Sequence, residues 1–533
     1  MNKRITALLI LAITITLVIV ALPYVTLGVV SAKPDGTSIV EWAWARHATF
    51  SDIADFLDRT LWPFIAAGSL LMVAMFGLRR IHNAPHKSNF VAYILLLIAS
   101  THWMVAIQQS AASPHKELKP LWVLYDPAAS GYFYEAAFGI RDTSEFLSTY
   151  EARMAEGDVL HVGTHPPGMF LLAKACIETC RKYPAIQSLV NALTFDSTVE
   201  AFRYVEQNAR LNRSITSSEI AGLQLLSLVT LTMSVLTLLP LCKIAKQMFS
   251  PSTAWFICCL WPTIPAISIF YPKSDVIFPS LSLLLILLAV IGAESAKKAT
   301  IIGIVAGAIL LLTSCLSLAI LPTVAAIGIF LICQTLKDPK KNGVPVAALT
   351  ASVTTTFILL ALGIQALFDC NLFNVFQQNL TNHSGFYQQF QRTYWKWLLV
   401  NPIELAFAVG PPVMALAACS FPARFRQKRQ DPVHENQHAT PCRAEYSHDV
   451  VRSLSTALTA TILLLWLSGK NNGEAARLWC FMTPWLLLLA GNYLQRFATT
   501  HTPAQLCTQF KWLLVTQLLL CLITVSRVSG FSF

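Results

Sequence analysis

Asp126, in the stretch YDPAASGYFYEAAFGI, is a carboxylate lying beyond an apolar run. A carboxylate in such a place can take the proton of an incoming hydroxyl. Followed by Pro127, it also has the make-up of a helix N-cap, and the two roles are compatible. The stretch LHVGTHPPGMFLLAK offers the complement. Pro166 and Pro167 fix their own backbone angles and force the residue before them extended, which holds His165 rigidly at a helix start. The first amides of a helix lack carbonyl partners and the helix dipole favours negative charge. This is a seat for an anion, to which Lys174 adds charge if it faces the same way. FYPKSDVIFPSL supplies Lys273 and Asp275, and SGKNNGEAARLWCFMTPW supplies Lys470, Glu474 and Arg477. Glu404 lies within an apolar run, about 10 Å from its end at the helical rise, where a carboxylate marks a site or pairs with a cation. Cations suit a negatively charged leaving group, and carboxylates suit a hydroxyl acceptor. In RDTSEFL, by contrast, Asp142 and Glu145 have the spacing of a capping box. Asp158 could serve either purpose.

Positioning these groups falls to a chain of 533 residues that is 55% hydrophobic and 13% charged, with a mean hydropathy of +0.55. Soluble domains carry about a quarter charged residues, so the chain reads as an all-α, polytopic membrane protein. About thirteen transmembrane helices are predicted. They are Ile5 to Val30, Leu61 to Leu78, Phe90 to Ala112, Ile220 to Ile244, Thr253 to Tyr271, Val276 to Ile291, two within Ala299 to Cys333, Val346 to Phe368, Trp397 to Ala417, Val450 to Leu467, Leu478 to Leu494 and Leu506 to Val525. With Lys3 and Arg4 inside, every basic loop then falls on the inner face. That bias accounts for the net charge of +11, and no basic stretch interleaved with aromatics suggests nucleic acid. The 13 cysteines fall mostly inside apolar spans and show neither a disulfide framework nor metal-ligand spacing. The N-terminal apolar run is long for a cleaved signal and reads as an anchor. Gly168 to Cys180 is short for a span, and the alternation holds only if it lies along the outer surface. The expected organisation is a single integral-membrane domain, residues 1–533. It has a long outer loop at 113–219 with juxtamembrane helices, and a cytoplasmic basic loop at 421–449.

The order of these features resembles the GT-C superfamily of integral-membrane glycosyltransferases, which includes protein O-mannosyltransferases and the aminoarabinose transferase. The likeness lies in a basic start, an Asp-bearing outer loop, HPPG in place of KPPL ahead of a short helix, LPLCKIAKQMFSPSTAW with a Pro-rich span, and an ending GEAARLWCFMTPW similar to that of uncharacterised bacterial members. It runs from about Lys116 to Trp485, and the ordered set carries it. The resemblance implies a sugar donor on a polyprenyl phosphate and an acceptor hydroxyl on a glycan, lipid or protein. It also implies inverting transfer at the non-cytoplasmic face of a bacterial inner or plasma membrane, as part of the cell envelope. Residue by residue, it makes Asp126 the base and His165, Pro166 and Pro167 the motif that places the lipid phosphate. Lys273, Asp275, Glu474 and Arg477 are weaker matches, and Glu404 joins the substrate-binding set by position alone. Two departures stand out: Pro127 follows where a second acid is usual, and His165 replaces the lysine, leaving phosphate neutralisation to Arg477 or Lys174. Members differ in whether they use a divalent metal, and no clear ligand cluster is visible here. A transporter or lipid flippase is the alternative, suggested by His102, Gln108 and Glu404 in apolar surroundings, although no internal repeat is found. A non-catalytic scaffold would tolerate Asp126→Asn.

Overall fold

The computed structural model describes Ile10, Ile13, Thr14, Thr16, Leu17 and residues 28–32, 38–83, 89–157, 162–208, 214–390, 392–420, 448–470, 472–500 and 502–531. Most of the first expected span, Asp158, and the basic loop at 421–447 lie outside the described residues. Among those described, ten helices are long and apolar enough to cross a membrane: Ile53–His82, Phe90–Ser110, Ser217–Met248, Pro251–Phe270, Ser274–Gly292, Ala296–Leu316, Leu318–Lys337, Pro339–Phe368, Asp449–Leu467 and Ala504–Arg527. The bent pair Tyr394–Val409 and Pro411–Ser420 makes an eleventh if it is one span. The chain is therefore a helical, multi-pass membrane protein, and each of these helices overlaps an expected span.

Three expectations need correction. Gly28–Ala32 forms a strand, so the first span does not reach Val30. The stretch expected to cross from Leu478 to Leu494 is divided into Ala475–Leu478, Cys480–Met482 and Thr483–Thr500, and every residue from Thr483 to Gly491 is buried. Enclosure by other helices accounts for the apolar sequence of the first half of that last helix. Trp397 to Ala417 is no straight span either, because the two helices meet at 116°. The break falls at Gly410, whose φ of +93° excludes an ordinary side chain, directly before Pro411 and Pro412. The buried amide of Gln517 donates to Val409 O at 2.9 Å there, supplying a partner that the broken helix does not.

Two small antiparallel ribbons interrupt the helices. β1 (Gly28–Ala32) pairs with β2 (Ser38–Ala43), and β3 (Ala45–Arg46) pairs with β4 (Val528–Ser529) near the chain's end. Glu41 of β2 pins the first ribbon: its carboxylate accepts from Thr393 N at 2.8 Å, Trp397 Nε1 at 2.7 Å and Ser31 Oγ.

The buried apolar residues form two clusters. One runs through the membrane helices. The other gathers Leu121, Tyr132, Phe146, Tyr150, Phe170, Ile177 and Phe202 of the long loop with Leu223, Leu311, Ala361 and Leu372. The loop at 113–219 thus has its own core, seated on the ends of three spanning helices. Segments expected on one face touch one another, as in Arg46 with Val528, and Lys337 meets Asp449 at the other.

Site elements are labelled in chain order. In the long loop they are α1 (His115–Tyr125), α2 (Thr143–Ser148), α3 (Tyr150–Ala155) and α4 (Gly168–Lys182). Beyond it they are α5 (Leu372–Gln389), α6 (Tyr394–Val409) and α7 (Ala475–Leu478).

Candidate functional site

α1 ends at Tyr125, and Asp126 is its C-cap rather than the N-cap of a following helix. Pro127 cannot continue the hydrogen-bond ladder, so the chain turns instead. Asp126 Oδ1 accepts from Ala128 N at 3.1 Å, an Asx turn, and its carbonyl accepts from Ala129, Ser130 and Gly131. Gly131, with φ of +69°, closes the turn and starts the short helix Tyr132–Tyr134. The turn is tied to a distant segment, for Lys273 Nζ donates to Ala129 O at 2.6 Å.

Tyr132, unremarkable in sequence among 13 tyrosines, is the hub. It is fully buried and hydrogen-bonds Ser274, and the charges of Asp275 and Arg477 act on its hydroxyl. Burial, with Asp275 adding to it, pushes that hydroxyl's pKa well up, so Tyr132 stays a neutral donor. On its other side the His165 ring stands edge-on, 5.2 Å between centroids. Tyr132 therefore joins the proline motif to the Lys273–Asp275 and Glu474–Arg477 pairs, which the sequence holds far apart.

Arg477 is presented by one turn of helix. Gly473 and Glu474 both adopt left-handed backbone, with φ of +80° and +58°, which for glutamate stores strain at the helix start. The Glu474 carboxylate pairs with Arg477 Nη2, and both side chains keep part of their surface open. Arg477 Nε is buried with no hydrogen-bond partner among the described residues. Below them lies Glu404, with Oε2 accepting from Ala475 N at 3.2 Å and Oε1 accepting from Ala476 N at 3.1 Å and Trp44 Nε1 at 3.0 Å. Glu404 is buried. Its carboxylate thus caps α7, a use that leaves it holding Arg477 in place rather than facing a ligand.

The proline motif forms the expected helix start, with Pro167 as N-cap of α4. Gly168 packs so closely that a Cβ there would lie 2.5 Å from Cys315 O. Lys174 points elsewhere, donating to Ile140 O at 2.8 Å and pairing with Glu178 at 3.4 Å. Asp142 caps α2 through Glu145 N at 2.8 Å, as its spacing suggested. Lys470 is exposed. Asn379 opens the glycosylation sequon Asn379-Leu380-Thr381, but it is buried and donates to Thr164 O, which takes it out of reach as a modification site in the folded chain.

His165, Lys273, Asp275, Glu474 and Arg477 are thus drawn around Tyr132, and Lys273 also holds the backbone of the turn that bears Asp126, while Lys174 and Glu404 serve neighbouring backbone. Tyr132, Trp44 and the α5 asparagines were not legible as site residues. A buried aromatic announces itself only by its neighbours, although the amide-rich composition of 371–391 was a signal for the last. Among the described residues, no group of three or more His, Cys, Asp or Glu side chains is arranged to hold a metal. No protein-family model matches the chain, and neither curated proteins nor solved structures include one with significant similarity to it.

Proposed function

We propose that this protein is a membrane glycosyltransferase that moves a sugar from a polyprenyl-phosphate donor to a hydroxyl acceptor at its non-cytoplasmic face. The observation that carries the reading is the convergence on Tyr132. A fixed guanidinium, a second cation, a histidine at a helix start and a carboxylate-bearing turn meet where one outer loop packs on two others. Arg477 and His165 engage the lipid phosphate, with Lys273 adding charge behind the Asp126 turn. Asp126 takes the proton as the acceptor oxygen attacks the anomeric carbon. The bond from that carbon to the phosphate oxygen breaks, and the electron pair leaves with the phosphate. Attack opposite to the leaving group inverts the configuration. Glu474 orients Arg477, and Glu404 orients the helix that bears it.

The transporter alternative has less support. Its three polar residues are already bonded within the protein: His102 to Ser69 at 3.3 Å, Gln108 to Lys119 at 2.9 Å, and Glu404 to α7.

The test is release of lipid phosphate from a panel of polyprenyl-phosphate sugars by the purified protein. Asp126→Asn is expected to abolish transfer while leaving donor binding intact, because an amide cannot accept the acceptor's proton. Equal loss of donor binding in that variant removes Asp126 as the base.

A further inference from the structure

Three consecutive carbonyl groups ahead of the proline pair are each taken by a side chain from another element. Asn382 Nδ2 donates to Gly163 O at 2.7 Å and to Met154 O at 2.9 Å. Asn379 Nδ2 donates to Thr164 O. Tyr150 Oη donates to His165 O at 2.7 Å. Asn379 and Asn382 are three residues apart on α5 and share one face of it. Both are buried, at 4% and 8% exposure, where an amide is tolerated only with its bonds made. α5 is itself fixed to α3, because the Glu151 carboxylate accepts from Asn371 N and Asn374 Nδ2, each at 2.8 Å.

The consequence follows from planar peptides. Holding a carbonyl sets the plane of its peptide group, so holding three in a row sets the backbone of 163–165 and the direction in which His165 leaves it. Pro166 and Pro167 then block any compensating rotation downstream. The ring is left edge-on to Tyr132, with Nδ1 3.1 Å from Thr164 Oγ1. Surface loops ordinarily satisfy their carbonyls with water. Here two buried asparagines and a tyrosine do so instead, at the segment that brings His165 to Tyr132.

We infer that Asn379, Asn382 and Tyr150 are positioning residues that hold His165 against Tyr132 for engagement of the donor phosphate. The inference rests on the phosphate-seat reading of His165.

The experiment uses the full-length protein in detergent. Tyr150→Phe removes one hydroxyl at constant shape, and Asn379→Asp removes a donor at constant size. Each is expected to raise the donor KM by about tenfold to a hundredfold, the cost of a small misplacement. Acceptor KM should hold in variants whose melting curve shows them folded at the assay temperature, and amide exchange should quicken in the 162–168 peptide. Combining Tyr150→Phe with His165→Ala should add no further rise in donor KM. Asn379→Ala replaces the aspartate variant if that one does not fold. Unchanged donor KM in folded variants overturns the inference, as does a rise that multiplies on top of His165→Ala. A wild-type protein that releases lipid phosphate from no donor overturns the underlying reading, and is seen before any variant is made.

Discussion

Lys273 shows how a single buried charge links the site to pH. Burial, then the positive charge of Arg477, lower its pKa to about 8, against partial support from Asp275 and Glu474. The folded state therefore prefers the neutral amine. It carries the cost of the charge below about pH 8, and its stability rises as pH climbs from there toward the ordinary lysine value. Donor binding runs the opposite way if the ammonium helps hold a phosphate. The donor KM of the wild type should climb above pH 8, and Lys273→Arg, charged throughout, should delay that climb. A flat wild-type profile between pH 6.5 and 9.5 removes Lys273 from the phosphate. Arg477→Ala should weaken donor binding by about tenfold to a hundredfold, the worth of one charged hydrogen bond, as measured with a labelled lipid phosphate. Unchanged affinity would exclude Arg477 from contact.

Elements matter here mostly through their ends. α7 has only four residues and depends on a carboxylate beneath it. Glu404→Gln keeps the shape but turns part of the acceptor into a donor against three N–H groups. A destabilisation of about 1–3 kcal/mol is expected, together with reduced transfer, because α7 carries Arg477. Thermal unfolding and transfer rate measured together check this, and a variant with full stability and activity contradicts the capping role. The ribbons make a second case. His47, buried, faces His115 with ring centroids 4.7 Å apart. Burial, then His115, Lys119, Arg59 and Arg527, lower its pKa to about 3. In Glu41, burial is outweighed by hydrogen bonds from Ser31, Thr393 and Trp397, which bring its pKa to about 2. Both groups bind fewer protons folded than unfolded. Their stability is present above their ordinary values and is lost as pH falls, from about 6.5 toward 3 for His47 and from about 4.5 toward 2 for Glu41. Tryptophan fluorescence should report ribbon release across this range, with His47→Gln flattening the upper part.

At the scale of the whole molecule, the long loop is a folded cap with its own core, seated on spanning helices and locked by α5. Its acids, prolines and amides acquire meaning only from that seating. The apolar runs, the multi-pass class, the helix start at the proline pair and the Asp142 cap were legible in the sequence. Each depends on residues a few positions apart, where hydrophobic content, missing N–H groups and short side-chain reach act locally. The bend at Gly410 and the burial of Thr483–Gly491 were not, because an apolar run looks the same whether it faces lipid or other helices. What joins Glu404 to Ala475, Lys273 to Ala129 and Asn382 to Gly163 spans 71, 144 and 219 residues. Only tertiary packing decides such pairs, since hydrogen bonds act over about 3 Å and nothing local specifies which distant carbonyl will arrive.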